Sequence, residues 1–244
     1  MGPGFRDLFA CFIRTYLMGV AFNTRGLQNV GLAYAMDPGL RAFYSDPRAL
    51  REARRRYLAL YNTHSWWNPM LVGYFLFLES HIRNGGLTAQ SLERIKDTTT
   101  YTLSAIGDSF FGGSLMIFWS LSETAFLLQD MLWTAVAWLL IPLILLQVFK
   151  LTTFWLGWRR GLSVLQRLRK LNLMAWAERV KLANALLVAL VWAILFPVGI
   201  YGAWSLAAIA LPGIAAYLVA AHRVPREALV VALPIGVCAW GLFF

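Results

Sequence analysis

Five stretches in the second half of the chain, 110–128, 131–149, 182–200, 203–221 and 228–244, each run for 17 to 19 residues with almost no charge. A bilayer core about 30 Å thick takes about 20 apolar helical residues to cross. Inside it only an α-helix or a closed barrel can satisfy its own backbone. Residues of the AVILMFWYC set make up 59% of the chain and charged residues 14%, against about 45–50% and 25% in soluble domains. The fold class read from this is all-α: a polytopic membrane protein with about five apolar spans, re-entry being the alternative to spanning for some of them. Water-soluble, disordered, collagen-like and coiled-coil classes are excluded.

The chain carries 22 Lys and Arg against 12 Asp and Glu, a formal charge of +10. These basic residues sit between apolar stretches, where they orient helices and meet anionic headgroups. No nucleic-acid-binding motif accompanies them, so nucleic acid is not an expected partner. The segment 150–181 holds Lys150, Arg159, Arg160, Arg167, Arg169, Lys170, Arg179 and Lys181, which assigns it to the cytoplasmic side, together with the arginine-rich N-terminal region. That makes 110–149 a hairpin with Asp130 near its tip, spanning or re-entrant. Beyond Lys181 the chain is expected to cross outward, return to the loop 222–227 and cross again, leaving Phe244 outside. The expected division is a helical N-terminal region, 1–104, at the cytoplasmic or interfacial side, and a transmembrane region, 105–244.

Within the first region, Phe5, Leu8, Phe9, Phe12, Ile13, Tyr16, Leu17 and Val20 recur at helical spacing, with Asp7 and Arg14 opposite. Arg14 breaks the apolar centre that a secretory signal needs. The segment reads as an amphipathic helix lying in the membrane interface or packed on the protein. A second helix is expected to begin at Asp46-Pro47, an N-cap followed by a first-turn proline. Around it crowd Arg48, Arg51, Arg54, Arg55 and Arg56, read as a solvated or headgroup-facing surface, with docking of an acidic partner as the functional alternative. Residues 66–78 are too short to span and are expected to pack inside or re-enter.

Soluble-enzyme signatures are missing: there is no phosphate-binding glycine loop, HExxH or GxSxG. Cys11 and Cys238 fit neither a disulfide framework nor a metal set, and no metal or cofactor is expected. What remains is a group of amides and acids in an oily chain. Asn23, Gln28, Asn29 and Asn62 offer paired donors and acceptors suited to sugar hydroxyls, or else satisfy loop backbone. His64 is either a packed histidine or a substrate contact, and Asp108 either a helix N-cap or a ligand. Glu123 is ionisable at membrane depth and so a functional candidate by default.

The segments FNTRGLQNVGLAYAM (22–36), YNTH (61–64) and AIGDSFFGG (105–113), followed by WLGWRRG (155–161), occur in that order. Together they resemble enzyme IID of the mannose/fructose/sorbose class of the bacterial phosphotransferase system. The likeness runs along nearly the whole chain, with Ser65 standing where the family has Pro. The resemblance implies a subunit of the bacterial inner membrane, not catalytic alone. It would pair with an enzyme IIC subunit in a hetero-oligomer and form the path for a hexose, which is phosphorylated on entry. The phosphate would travel through histidines of soluble IIA and IIB proteins, so His64 is not a phosphohistidine. Asn23, Gln28, Asn29, Asn62, His64 and Asp108 match the family motifs, and a subset of them is expected to line the sugar site or the IIC contact. The alternative is a non-transporting structural or regulatory subunit that keeps the IIC contact.

Overall fold

The computed structural model describes residues 2–195. The expected spans 203–221 and 228–244, the last five residues of 182–200, the loop 222–227 and Cys238 lie outside them. The described residues are all-helical, with isolated β-bridges but no strand. In order they form α1 (Phe5–Arg14), α2 (Asn29–Phe43), α3 (Pro47–Tyr57), α4 (Asn68–Arg83) and α5 (Ala89–Gly107). A π-helical segment (Asp108–Leu115) leads into α6 (Met116–Leu128), followed by α7 (Leu132–Arg160), α8 (Leu162–Lys170) and α9 (Leu173–Leu195). The expected cap of α3 is present: the Asp46 carboxylate accepts the Ala49 N–H at 2.9 Å, and Pro47 opens the first turn.

The hairpin is longer than its apolar core. α5, the π-helical segment and α6 form one continuous helix, Ala89–Leu128, which turns through Asp130 in the left-handed region (φ 56°) into α7. These two are the helices among the described residues that are long and apolar enough to cross a membrane. Ile144 and Leu145 on α7 are 61% and 60% exposed, as suits a helix whose solvent is lipid. The basic stretch 150–181 is itself helical, taking in the end of α7, all of α8 and the start of α9.

α4 is the central helix. Met70, Leu71, Val72, Phe75 and Leu76 are fully buried, so the run 66–78 packs inside; a helix apolar all round belongs in a core. Its most extensive partner is α7. A Cβ on Gly73 would lie 2.2 Å from the Phe154 carbonyl oxygen, and one on Gly157 2.5 Å from that of Met70. Small residues let the two backbones touch. Trp67 meets Phe149 with ring centroids 5.6 Å apart, and Gly161 lies against Phe77. α4 and α7 therefore run parallel, and Glu79–Arg83 project past the basic end of α7.

α1 lies antiparallel along the second half of α7. Phe5 stacks on Trp155 at 5.7 Å, Phe12 meets Phe154 at 5.5 Å, and the Tyr16 hydroxyl bonds Gln147 at 2.6 Å. The helix stops at Arg14, short of the expected run to Val20, and its apolar face is divided: Leu8 and Phe12 are buried, Phe5, Phe9 and Ile13 exposed, and Tyr16, Leu17 and Val20 lie exposed in the turns that follow.

The five arginines of α3 do not form one surface. Arg54 donates to Asp37 at 2.8 Å, a carboxylate that also pairs with Arg41 at 2.9 Å and Arg14 at 3.8 Å. Arg56 bonds the fully buried Glu79 through Nε and Nη2, at 2.8–3.1 Å. The same carboxylate accepts the hydroxyls of Tyr57 (2.8 Å) and Tyr44 (2.6 Å). Burial, and then Glu79, pushes the Tyr57 hydroxyl well above its ordinary pKa. Only Arg48, Arg51 and Arg55 stay exposed, because burying Glu79 and half-burying Asp37 demands partners.

Candidate functional site

Two loops, 21–29 and 58–67, are tied to one another by backbone and amide hydrogen bonds. Asn23 and Leu27 exchange N–H···O bonds of 3.0 and 2.9 Å. The Gln28 N–H donates to Tyr61 at 2.9 Å, and the Tyr61 N–H to Gly26 at 3.2 Å. Leu27 is in the left-handed region, φ 59°. A Cβ on Gly26 would sit 2.0 Å from Asn29 Nδ2, so a larger residue there would displace the Asn29 amide. Asn23 Oδ1 accepts the Gly26 and Arg25 N–H groups at 2.8 and 3.1 Å, and its Nδ2 donates to Asn29 Oδ1 at 2.9 Å. Asn29 Nδ2 donates to Leu58 O at 2.6 Å. Gln28 Nε2 donates to Thr63 O at 3.0 Å, and its Oε1 accepts from Asn68, whose own Oδ1 accepts the Tyr61 hydroxyl at 2.9 Å. Asn23, Gln28 and Asn29 thus hold the loops in shape.

His64 and Asn62 end this construction on its open side. The imidazole is half-buried beside Trp66 and Phe111, centroids 5.5 and 5.2 Å away. A Cβ on Gly107 would be 2.5 Å from the Cβ of His64, so the third motif packs directly on the second. Burial lowers the His64 pKa; Asp108 opposes that shift and Lys150 reinforces it. Asp108 is exposed and accepts a 3.4 Å bond from Ser104. It caps no helix, because α5 continues through it into the π-helical segment. Asn62 is exposed, with no side-chain hydrogen bond among the described residues. Glu123 lies apart, fifteen residues further along the same helix than Asp108, and its buried Oε2 has no hydrogen-bond partner among the described residues.

Two openings adjoin the cluster, and their chemistry differs. A cavity of about 410 Å³ between α6, α7 and α8 is lined by Trp66, Trp67, Phe111, Trp138, Phe149 and further apolar side chains. A hydroxylated solute there would lose water with almost nothing to replace it. A smaller cleft of about 140 Å³ lies between the loops and α5, bordered by Leu27, Leu60, Asn62, Asp97, Tyr101 and Ser104. Asn68, Gly107, Asp97, Tyr101 and Ser104 were not singled out from sequence. A signal existed for the last pair with Asp97: positions 97, 101, 104 and 108 are spaced by four, three and four, one face of a helix.

The sequence profile of the PTS system mannose/fructose/sorbose family IID component matches residues 5–201. The fructose permease IID component of Bacillus subtilis is 26% identical over 111 residues, 45% of this chain and 40% of the relative. The mannose-specific EIID component of Escherichia coli K12 is 28% identical over 111 residues, 45% of this chain and 39% of the relative. The chain thus matches well under half the length of either relative. Among solved structures, one reported as a membrane protein matches with a TM-score of 0.72 at 18% identity, covering 98% of this chain and 97% of that one. A chain of the mannose transporter ManYZ in complex with microcin E492, solved by cryo-EM, matches with a TM-score of 0.54 at 18% identity over the same shares. At that identity the two structures speak to fold alone.

Proposed function

The chain belongs to the IID components of the mannose/fructose/sorbose family of the phosphotransferase system (PTS), and from that premise we propose that it forms, with an enzyme IIC subunit, the path for uptake of a hexose of the mannose, fructose or sorbose type. The observation that carries the reading is convergence. Segments 22–29, 61–64 and 105–113, far apart in sequence, meet where Asn62 and Asp108 are left exposed and His64 half-buried. In this reading Asn62, His64 and Asp108 face the sugar or the IIC contact, while Asn23, Gln28 and Asn29 position them. Carboxamide and carboxylate groups replace sugar hydration, and aromatic rings cover its apolar face. Access alternates as one packed unit moves against another, as in transporters generally. Phosphate reaches the sugar from soluble IIA and IIB partners, and His64 takes no phosphoryl group. Glu123 serves the membrane part of the same path.

The proposed topology is that of a bacterial inner-membrane subunit with about five spans. Its region 1–104 and the basic end of α7 are cytoplasmic and its C-terminus is outside. Support comes from the placement of Lys and Arg and from the projection of α4 past the basic end of α7. In cells expressing the chain with its IIC partner, Asp108→Asn and Asn62→Ala abolish hexose uptake and leave membrane insertion and IIC association intact. Loss of insertion instead assigns both residues to folding.

A further inference from the structure

The cleft between α5 and the paired loops has one wall whose backbone is held by hydrogen bonds and another whose polar side chains are exposed and carry few bonds. The fixed wall is Leu27, Leu60 and Asn62. Leu27 is locked by its left-handed backbone and its bonds to Asn23, and the 58–62 segment by the bonds Gln28 N–H to Tyr61 O and Asn29 Nδ2 to Leu58 O. The facing wall is one stripe of α5. Asp97 is 54% exposed and has one oxygen 3.6 Å from the Lys96 ammonium. Tyr101 is 62% exposed, and Ser104 bonds only weakly to Asp108. A held backbone on one side, and a carboxylate, a hydroxyl and a ring with capacity to spare on the other, can take a polar ligand.

We propose that this cleft is a monosaccharide subsite, with Asp97 and Asn62 bonding adjacent hydroxyls and the Tyr101 ring covering the C–H face of the sugar. The proposal rests on the sugar-handling reading and adds residues that the family motifs do not contain. A carboxylate accepts from two neighbouring hydroxyls, and a carboxamide both donates and accepts. That set suits the neighbouring hydroxyls of a polyol. A cation would meet a single carboxylate already beside Lys96, and an apolar ligand has the larger oily cavity available. A volume of about 140 Å³ admits one small ring and not an oligosaccharide.

The test is calorimetry on the chain purified together with its membrane partner, with mannose, fructose and sorbose as probes. The wild-type assembly binds at least one of them. Asp97→Asn weakens that binding about tenfold or more, the scale of a lost charged hydrogen bond, and Tyr101→Ala weakens it through loss of the covering ring, whereas Tyr101→Phe, which keeps the ring, retains most of the affinity. Should Tyr101→Ala unfold, the isosteric and exposed Asp97→Asn decides. Wild-type affinity in both Asp97→Asn and Tyr101→Ala overturns the subsite and leaves the transport reading standing. No affinity of the wild-type assembly for any of the three sugars removes both.

Discussion

His64 is held between Trp66 and Phe111 with its ring half out of water, and that environment favours the neutral imidazole. An unfolded-state histidine titrates near 6.5. Because the folded pKa is lower, the unfolded state binds the extra proton first, and stability present above about pH 6.5 is lost as the pH falls toward the folded value. Thermal unfolding followed from pH 8 to pH 5 shows this loss in the wild type and not in His64→Gln. A gain in stability on acidification would mean that Asp108 captures the imidazolium. The carboxamides show what residue identity conveys and what it omits. Asn23, Gln28 and Asn29 are legible in the sequence as part of a family pattern, yet whether an amide meets solute or backbone depends on the loop conformation around it. Here the left-handed Leu27 and the missing Cβ of Gly26 turn those amides onto backbone. Sequence does not separate Arg54 and Arg56 from their exposed neighbours Arg48, Arg51 and Arg55, for a related reason. Their partners, Asp37 and Glu79, lie 17 and 23 residues away, a distance at which no local pattern operates.

Helices were legible where hydropathy or a cap marked them and less so where they changed character midway. The start of α3 follows from Asp46-Pro47. The start of the long helix at Ala89 was hidden because its first half is polar, so the apolar signal begins only at the π-helical segment. Wide helical turns of that kind concentrate at functional positions, and this one carries Asp108 and packs Gly107 onto His64. The α4–α7 contact sets the height of the loops relative to the hairpin, and it depends on backbone approach at Gly73 and Gly157. Gly157→Ala places a Cβ 2.5 Å from a carbonyl oxygen and lowers stability in detergent by about 1–3 kcal/mol, the usual cost of overpacking. Gly19→Ala, with open space around it, has no such effect. Equal unfolding temperatures for the two variants would contradict the role given to this contact.

As a whole, the described molecule is an apolar hairpin, α6–α7, rising from a helical body built on α4, with the motif loops at the junction. All-helical architecture and membrane character were readable from composition and hydropathy. How α1 lies was not, because a sequence shows one apolar face and the structure divides it between α2, α7 and the outside. On the proposed topology the junction sits near the inner boundary of the bilayer, which is where the proposed function would have a sugar leaving the path meet its phosphorylating partner. The exposed side of α1 and the hairpin is then left for lipid and the sister subunit. The most direct measurement is phosphoenolpyruvate-dependent uptake of labelled mannose, fructose and sorbose into vesicles that hold the IIC partner and soluble PTS proteins, with and without this chain. The account predicts uptake and phosphorylation of at least one hexose only when the chain is present. Equal uptake in its absence, or none in its presence while the two subunits co-purify, would contradict it.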